Sequence, residues 1–363
     1  MFFLNLILIM SAPAAERLLY VGSYTHGSGA GISLFHFDDR TGKLTPAGLA
    51  AEIRNPSFLA EHPNHRFLYA VNENGQGGVS AFAIDRNTGK LTLLNQVPSG
   101  GNGPCHLAVD KSGRWLAVAN YGSGHLALLP IAADGKLGAP VFTDRHPGGS
   151  VNPARQKGPH AHCVLFSPDN RFLLLADLGH DKVWVYRFDA ASGSLKPNDP
   201  AFASVAPGAG VRHLAFHPNG RVLYAISEMG STITAFHYNA GELSEFQAIS
   251  TLPKDFKGKS TCAEIAVNAA GTAVYGSNRG ADSIALFAID PDRFTLTAVD
   301  YTPTLGRTPR HFTLDPSGRF LLAANQDSDS VAVFHVHPRT GQLTPAGKVV
   351  TGIPAPVCIL FLQ

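Results

Sequence analysis

The sequence predicts an all-β fold, and three observations predict it: only 15 % of residues are charged, Gly (37) and Pro (25) are frequent, and the apolar residues, 44 % of 363, come as short runs. Short apolar runs punctuated by turn formers indicate many strands joined by tight turns, because a long helix would keep an extended amphipathic pattern. Length alone suggests about two domains, but all-β chains often exceed that prior as a single unit.

A repeat of about fifty residues makes the architecture specific. Seven copies read "RLLYVGSY", "RFLYAVNE", "RWLAVANY", "RFLLLADL", "RVLYAISE", "TAVYGSNR" and "RFLLAANQ". They start at 17, 66, 114, 171, 221, 272 and 319, with spacings of 49, 48, 57, 50, 51 and 47. Six follow a turn such as "HPNH", "SPDN" or "DPSG", itself preceded by a short apolar strand such as "HLAV" or "HFTL", which makes a hairpin with turn chemistry at its tip. Next come "GVSAFAID", "KVWVYRFD", "TITAFHY", "SIALFAID" and "SVAVFHVH", whose period of two commits one face to a core. Loops of the "RTGKLTPAG" type lead into a fourth strand. Four strands repeated seven times predict a seven-bladed β-propeller. The first copy begins at its second strand, and the C-terminal "APVCILFLQ" is a first strand with nothing after it. Strands from both termini should therefore complete one blade and close the ring, leaving no open edge.

The N-terminal MFFLNLILIMSAPAAER has an apolar stretch of about nine residues and then Ala12-Pro13-Ala14, an A-x-A pattern of the kind signal peptidase cuts. The stretch is too short to span a bilayer, so residues 1–15 are expected to be a signal peptide and 16–363 one propeller domain. A cleaved chain would be periplasmic or secreted, an uncleaved one cytoplasmic. With a net charge of +2 and no dense Lys/Arg block, the sequence shows no nucleic-acid footprint, which leaves a small molecule as the expected partner. Cys105, Cys163, Cys262 and Cys358 are too scattered for a disulfide framework or a zinc motif and should be small buried apolar residues.

Propeller topology gathers certain positions without further assumption. The entry of each first strand and the exit of its antiparallel second strand lie at the same end of the ring. Entries hold Ser57/Phe58, Cys105/His106, His162/Cys163, Arg212/His213, Ala263/Glu264, Arg310/His311 and Val357/Cys358; exits include Glu73, Glu228, Arg279 and Gln326. The recurring Asn72, Asn120, Asp177, Asn278 and Asn325 at exits are expected to satisfy backbone groups. His106, His213 and His311 share one register, which predicts a structural role inside each blade. Arg212, Arg279 and Arg310 converging on a narrow mouth would repel one another unless carboxylates or a bound anion compensate, and Glu73, Glu228 and Glu264 supply only part of that. His160 and His162 lie on one face of an extended segment at the entry of the third complete blade. A metal centre would want three or four ligands, and a hard cation several carboxylates, so no metal or cofactor is expected. An imidazole acting as general acid or base is the chemistry these residues suggest.

With these motifs in view, the sequence resembles the lactonase family of seven-bladed propellers, which includes propeller-type 6-phosphogluconolactonases and the fungal carboxy-cis,cis-muconate lactonising enzyme. The resemblance runs from Arg17 to Gln363 and is carried by "LLYVGSYT", "NPSFLAEHPNHRFLYAVNE", "GPCHLAVDKSGRWLAVANY", "GPHAHCVLFSPDNRFLLLADLG", "VRHLAFHPNGRVLYAISE", "AEIAVNAAGTAVYGSNRG" and "TPRHFTLDPSGRFLLAANQ". It implies a His, Arg, Glu, Arg set at the channel mouth, matching His162, Arg212, Glu228 and Arg279. The implied activity is lactone hydrolysis. His162, oriented by His160, would activate water; Arg212 and Arg279 would bind the oxyanion and an acidic group; Glu228 would orient an arginine or shuttle a proton. Substrate contacts are expected from His160, Arg310, Glu73, Gln326 and Glu264. The alternatives are a muconate-type lactonising cyclase and a non-catalytic extracytoplasmic binding propeller. The leader departs from the cytosolic sugar-phosphate enzymes and questions the phosphate more than the lactone.

Overall fold

The computed structural model describes residues 16–25 and 31–363; the expected leader at 1–15 lies outside the described residues. Seven antiparallel sheets hold four strands each in consecutive order, one with a short additional strand. Numbered from the first complete copy, blade 1 comprises Leu59–Glu61, Phe67–Asn72, Gly78–Ile84 and Leu91–Pro98. Blades 2 to 6 begin with Pro104–Val109, Ala161–Phe166, Val211–Phe216, Thr261–Val267 and Pro309–Leu314. In blade 7 the C-terminal Pro356–Phe361 pairs with Glu16–Ser23, and Gly31–Asp38 and Leu44–Glu52 follow outward. First strands contact their neighbours in sequence around the ring, and that of blade 7 touches those of blades 6 and 1. The expected closure by strands from both ends is what the chain adopts.

The core lies between blades. Second strands such as Phe67–Asn72, Val222–Ser227 and Phe320–Asn325 are buried along their whole length, because each is covered on both faces. Strand periodicity distributes the contacts: Leu173 and Leu175 pack with Ala117 and Leu126 of blade 2, while Leu174 and Ala176 pack with Leu223 and Ala225 of blade 4. Each such leucine contributes on the order of 1.5–3 kcal/mol by leaving water. The outermost strand of blade 1, Leu91–Pro98, has no buried residue, and the others keep at most two.

Polar latches recur in the same register. The buried Tyr20, Tyr69, Tyr224 and Tyr275 hydroxyls donate across to the next blade, to the carbonyls of Gly89, Gly135, Phe294 and Gly341 at 2.9, 3.1, 2.8 and 2.8 Å. His62 and His217 reach the carbonyls of Gly113 and Gly271 at 2.8 and 3.0 Å. Those two turn glycines have φ of 71° and 68°, and a Cβ there would collide with the latching imidazole.

Candidate active site

Register breaks at the same point in six of the seven first strands. Opposite the second strand, one residue is left over in each: Cys105, His162, Arg212, Arg310 and Val357. In blade 5 Ala263 and Glu264 together oppose Ser277. A bulge of this kind bends the strand, so that two consecutive side chains a flat strand would send to opposite faces both turn into the channel. The two heights that result form two layers.

In the upper layer Ser57, Cys105, His162, Arg212, Arg310 and Val357 surround a cavity of about 10 Å³ with Tyr24 and Glu73 at its rim, room for a single water-sized group. Below it the channel is plugged. The Phe58 ring lies 4.0 Å from His106, 6.0 Å from His213 and 5.9 Å from His311. Glu264 accepts from His213 Nδ1 at 2.9 Å and faces His311 Nε2 at 3.4 Å. A separate chamber of about 530 Å³ opens on the far side of that plug.

Electrostatics divide the upper layer between a neutral base and fixed cations. Burial first, then Arg212, His213 and Arg310, hold the His162 pKa well below 6.5, so its imidazole is neutral at neutral pH. Glu228 receives three guanidiniums: Arg155 and Arg279 at 2.8 Å and Arg212 at 3.2 Å. Burial pushes its pKa up, but Arg279, Arg212 and Arg155 outweigh that and bring it down to about 2. Burial and the neighbouring Arg279 and Arg310 pull Arg212 down to about 10, which still leaves it charged at neutral pH. Arg212 also donates to the Ala263 carbonyl, and Arg279 Nη2 to that of Cys262 at 2.8 Å. Glu73 accepts from Ser57 Oγ at 2.5 Å and Tyr24 Oη at 2.9 Å, and Arg310 lies 5.3 Å from the Tyr24 ring centroid.

Residues 18–361 match the family model described as "Lactonase, 7-bladed beta-propeller". The chain belongs to that family. It is 38 % identical to a Bacillus subtilis 6-phosphogluconolactonase over 347 residues, 95 % of this chain and 98 % of that one. A solved putative 6-phosphogluconolactonase from Bacteroides fragilis superimposes with a TM-score of 0.91 at 36 % identity, covering 97 % and 99 % of the two chains. The periplasmic gluconolactonase of Pseudomonas aeruginosa does so at 0.91 and 35 %, covering 96 % and 99 %.

In this lactonase propeller the expected residues fall into three groups. His162, Arg212, Arg310 and Glu73 converge on the small cavity, and Glu228 and Arg279 stand behind Arg212. Glu264 is one layer lower than expected, held by His213 and His311. These histidines and His106 line the channel plug, where the sequence had placed them inside the blades; the bulge turns them inward. His160 stacks on Tyr121 at 4.6 Å and its Nδ1 meets the Tyr121 carbonyl at 3.0 Å, so it orients that tyrosine and not His162. Gln326 opens a 3-10 turn, Gln326–Ser328, and its Nε2 donates to Asp327 at 3.1 Å, outside the cavity. The three guanidiniums hold Glu228 ionised and in contact with Arg212 and Arg279.

Two further histidine pairs share metal-like spacing, His335/His337 and His213/His217, but among the described residues no three His, Cys, Asp or Glu are grouped to hold an ion. All four cysteines are free and buried, as expected. Sequence reasoning missed Arg155, which contacts Glu228 and the Tyr121 hydroxyl at 2.8 and 3.1 Å. Its signal was the 57-residue spacing that sets the third complete blade apart.

Proposed function

We propose that the chain hydrolyses sugar-acid lactones of the kind its 6-phosphogluconolactonase and gluconolactonase relatives are named for, without a metal. The observation that carries this is the water-sized cavity bounded by a neutral His162 and two guanidiniums, Arg212 and Arg310. His162 takes a proton from water as the oxygen adds to the lactone carbonyl. The developing oxyanion is met by fixed positive charge already in place, and its charge offsets the field that held the imidazole neutral. The ring C–O bond then breaks and the imidazolium returns its proton to the leaving alkoxide, giving the open hydroxy acid. Arg310 replaces Arg279 as second oxyanion partner, because Arg310 lines the cavity while Arg279 holds Glu228 in place behind Arg212. The donor set of Arg and His suits an anion better than a hard cation. A panel of phosphorylated and unphosphorylated aldonolactones tests this: turnover should occur without added metal and disappear in His162→Ala and Arg212→Ala. Rates unchanged in both variants would refute it.

Export belongs to the same reading. The leader pattern at 1–15 and the periplasmic designation of the P. aeruginosa relative support removal near Ala14. N-terminal sequencing of protein from a fractionated host checks it, and an intact Met1 in the cytosol would contradict it.

A further inference from the structure

The mouth carries more positive charge than its own carboxylates answer. Arg155, Arg212, Arg279 and Arg310 face Glu228 and Glu73, and Glu264, one layer down between two neutral imidazoles, adds a third carboxylate. Three of the four guanidiniums have neighbours that restrict them. Arg212 and Arg279 also donate to backbone carbonyls, their side chains 3 % and 13 % exposed, and Arg310 is half-buried over Tyr24.

Arg155 differs on each count. Its side chain is 40 % exposed, Nη2 alone bonds, to Glu228 and Tyr121, and its other N–H groups make no hydrogen bond among the described residues. The backbone beneath it is nevertheless fixed. Asp181, 3 % exposed, accepts from Ser150 Oγ at 2.5 Å and Gln156 Nε2 at 2.8 Å on the Arg155 segment, and from the Gly208 and Gly210 N–H groups ahead of blade 4. Gln156, 1 % exposed, also donates to the Leu178 carbonyl at 2.8 Å. An exposed guanidinium thus stands on a rigid support. Tyr121 sets its distance from the chemistry: the hydroxyl meets Arg155 and the ring lies 5.4 Å from that of His162.

We propose that Arg155 is the specificity-determining residue of this site, docking an anionic substituent, phosphate or carboxylate, at the end of the lactone remote from the scissile ester. The proposal rests on the lactone-hydrolase reading above. When Arg155 turns to the incoming group, Glu228 keeps Arg212 and Arg279, so no buried charge is left unpaired. The guanidinium fork offers bidentate, charge-assisted bonds to either oxyanion. An anionic substituent answers the positive charge that the three carboxylates leave over.

The test compares wild type, Arg155→Ala and Arg155→Lys on 6-phosphoglucono-1,5-lactone and glucono-1,5-lactone. In Arg155→Ala the ratio of kcat/KM, phosphorylated over unphosphorylated, should fall at least tenfold, with partial recovery in Arg155→Lys. Equal losses on both substrates, or none, overturn the proposal. If wild type turns over neither lactone the hydrolase reading fails, and calorimetric binding of 6-phosphogluconate, glucarate and gluconate decides about Arg155 alone. At least one of the first two should bind wild type tenfold or more tighter than gluconate, with that gap closed in Arg155→Ala; whichever is tighter identifies the group as phosphate or carboxylate. No gap in wild type, or a gap that survives the substitution, overturns it. An unchanged melting temperature in Arg155→Ala shows that the fold is intact.

Discussion

Two positions meet at the channel mouth in nearly every blade, and they behave in opposite ways. At the exit of the second strand the residue repeats: Asn72, Asn120, Asn278 and Asn325 donate to the carbonyls of Arg54, Ser99, Thr251 and Thr304 at 2.8–3.1 Å. Asp177 makes the complementary choice and accepts from the His160 and Gly179 N–H groups at 2.8 and 2.9 Å. At the first-strand bulge hardly anything repeats: Cys105, His162, Arg212, Ala263, Arg310 and Val357 are five residue types at six places. A residue shared by blades carries a load that every blade has, here an orphan carbonyl at the end of a loop. A residue that varies at an equivalent backbone position is free of that load, and the site is assembled from such positions.

If this contrast holds, bulge substitutions should remove activity and exit substitutions should remove stability. The largest effect is expected from His162→Ala, a loss of about 10²–10⁴ in kcat/KM for a lactone, typical of a missing general base, with the melting temperature little lowered. Glu228→Gln joins the two behaviours. Loss of the carboxylate leaves Arg212, Arg279 and Arg155 unanswered, so activity falls and stability drops by about 3–5 kcal/mol in denaturant titration. Asn278→Ala, which orphans the Thr251 carbonyl, should cost about 1–3 kcal/mol while kcat/KM stays within severalfold of wild type. A kinetic loss in Asn278→Ala as large as in His162→Ala would break the contrast.

Acid provides a further test. His106, His162 and His213 have pKa values held well below 6.5 by burial, and burial brings His311 down to about 4. The unfolded chain therefore binds more protons than the folded one as pH drops below about 6.5, so stability is full above that pH and declines beneath it. The same sign places the acid limb of kcat/KM below 6.5, where His162 becomes protonated. A limb at or above 6.5 would mean that another group acts as base. The smallest effect is Tyr275→Phe, which removes one latch to Gly341 at a cost of about 1 kcal/mol and leaves kinetics alone.

The architecture was legible because repetition is a property of sequence. Spacing, turns and alternation gave seven blades, the closing strand and both positions that meet at the mouth, including His162, Arg212 and Arg310. The bulge was not legible, since it depends on how many residues the partner strand sets opposite, and that count appears only on pairing. Hence Glu264 sits a layer lower than the repeat suggests, while Gln326 leaves the register because a 3-10 turn follows its strand. Arg155 lay in a segment that belongs to no repeat, and alignment of copies passes over what they do not share.

The closing blade also ties the pocket to the integrity of the ring. Val357 lines the cavity and belongs to the strand that pairs with Glu16–Ser23. Until Pro356–Phe361 docks, the ring has six complete blades and an open seam. Under the reading above, the pocket lacks one wall until that strand docks, so closing the ring and completing the pocket are a single event.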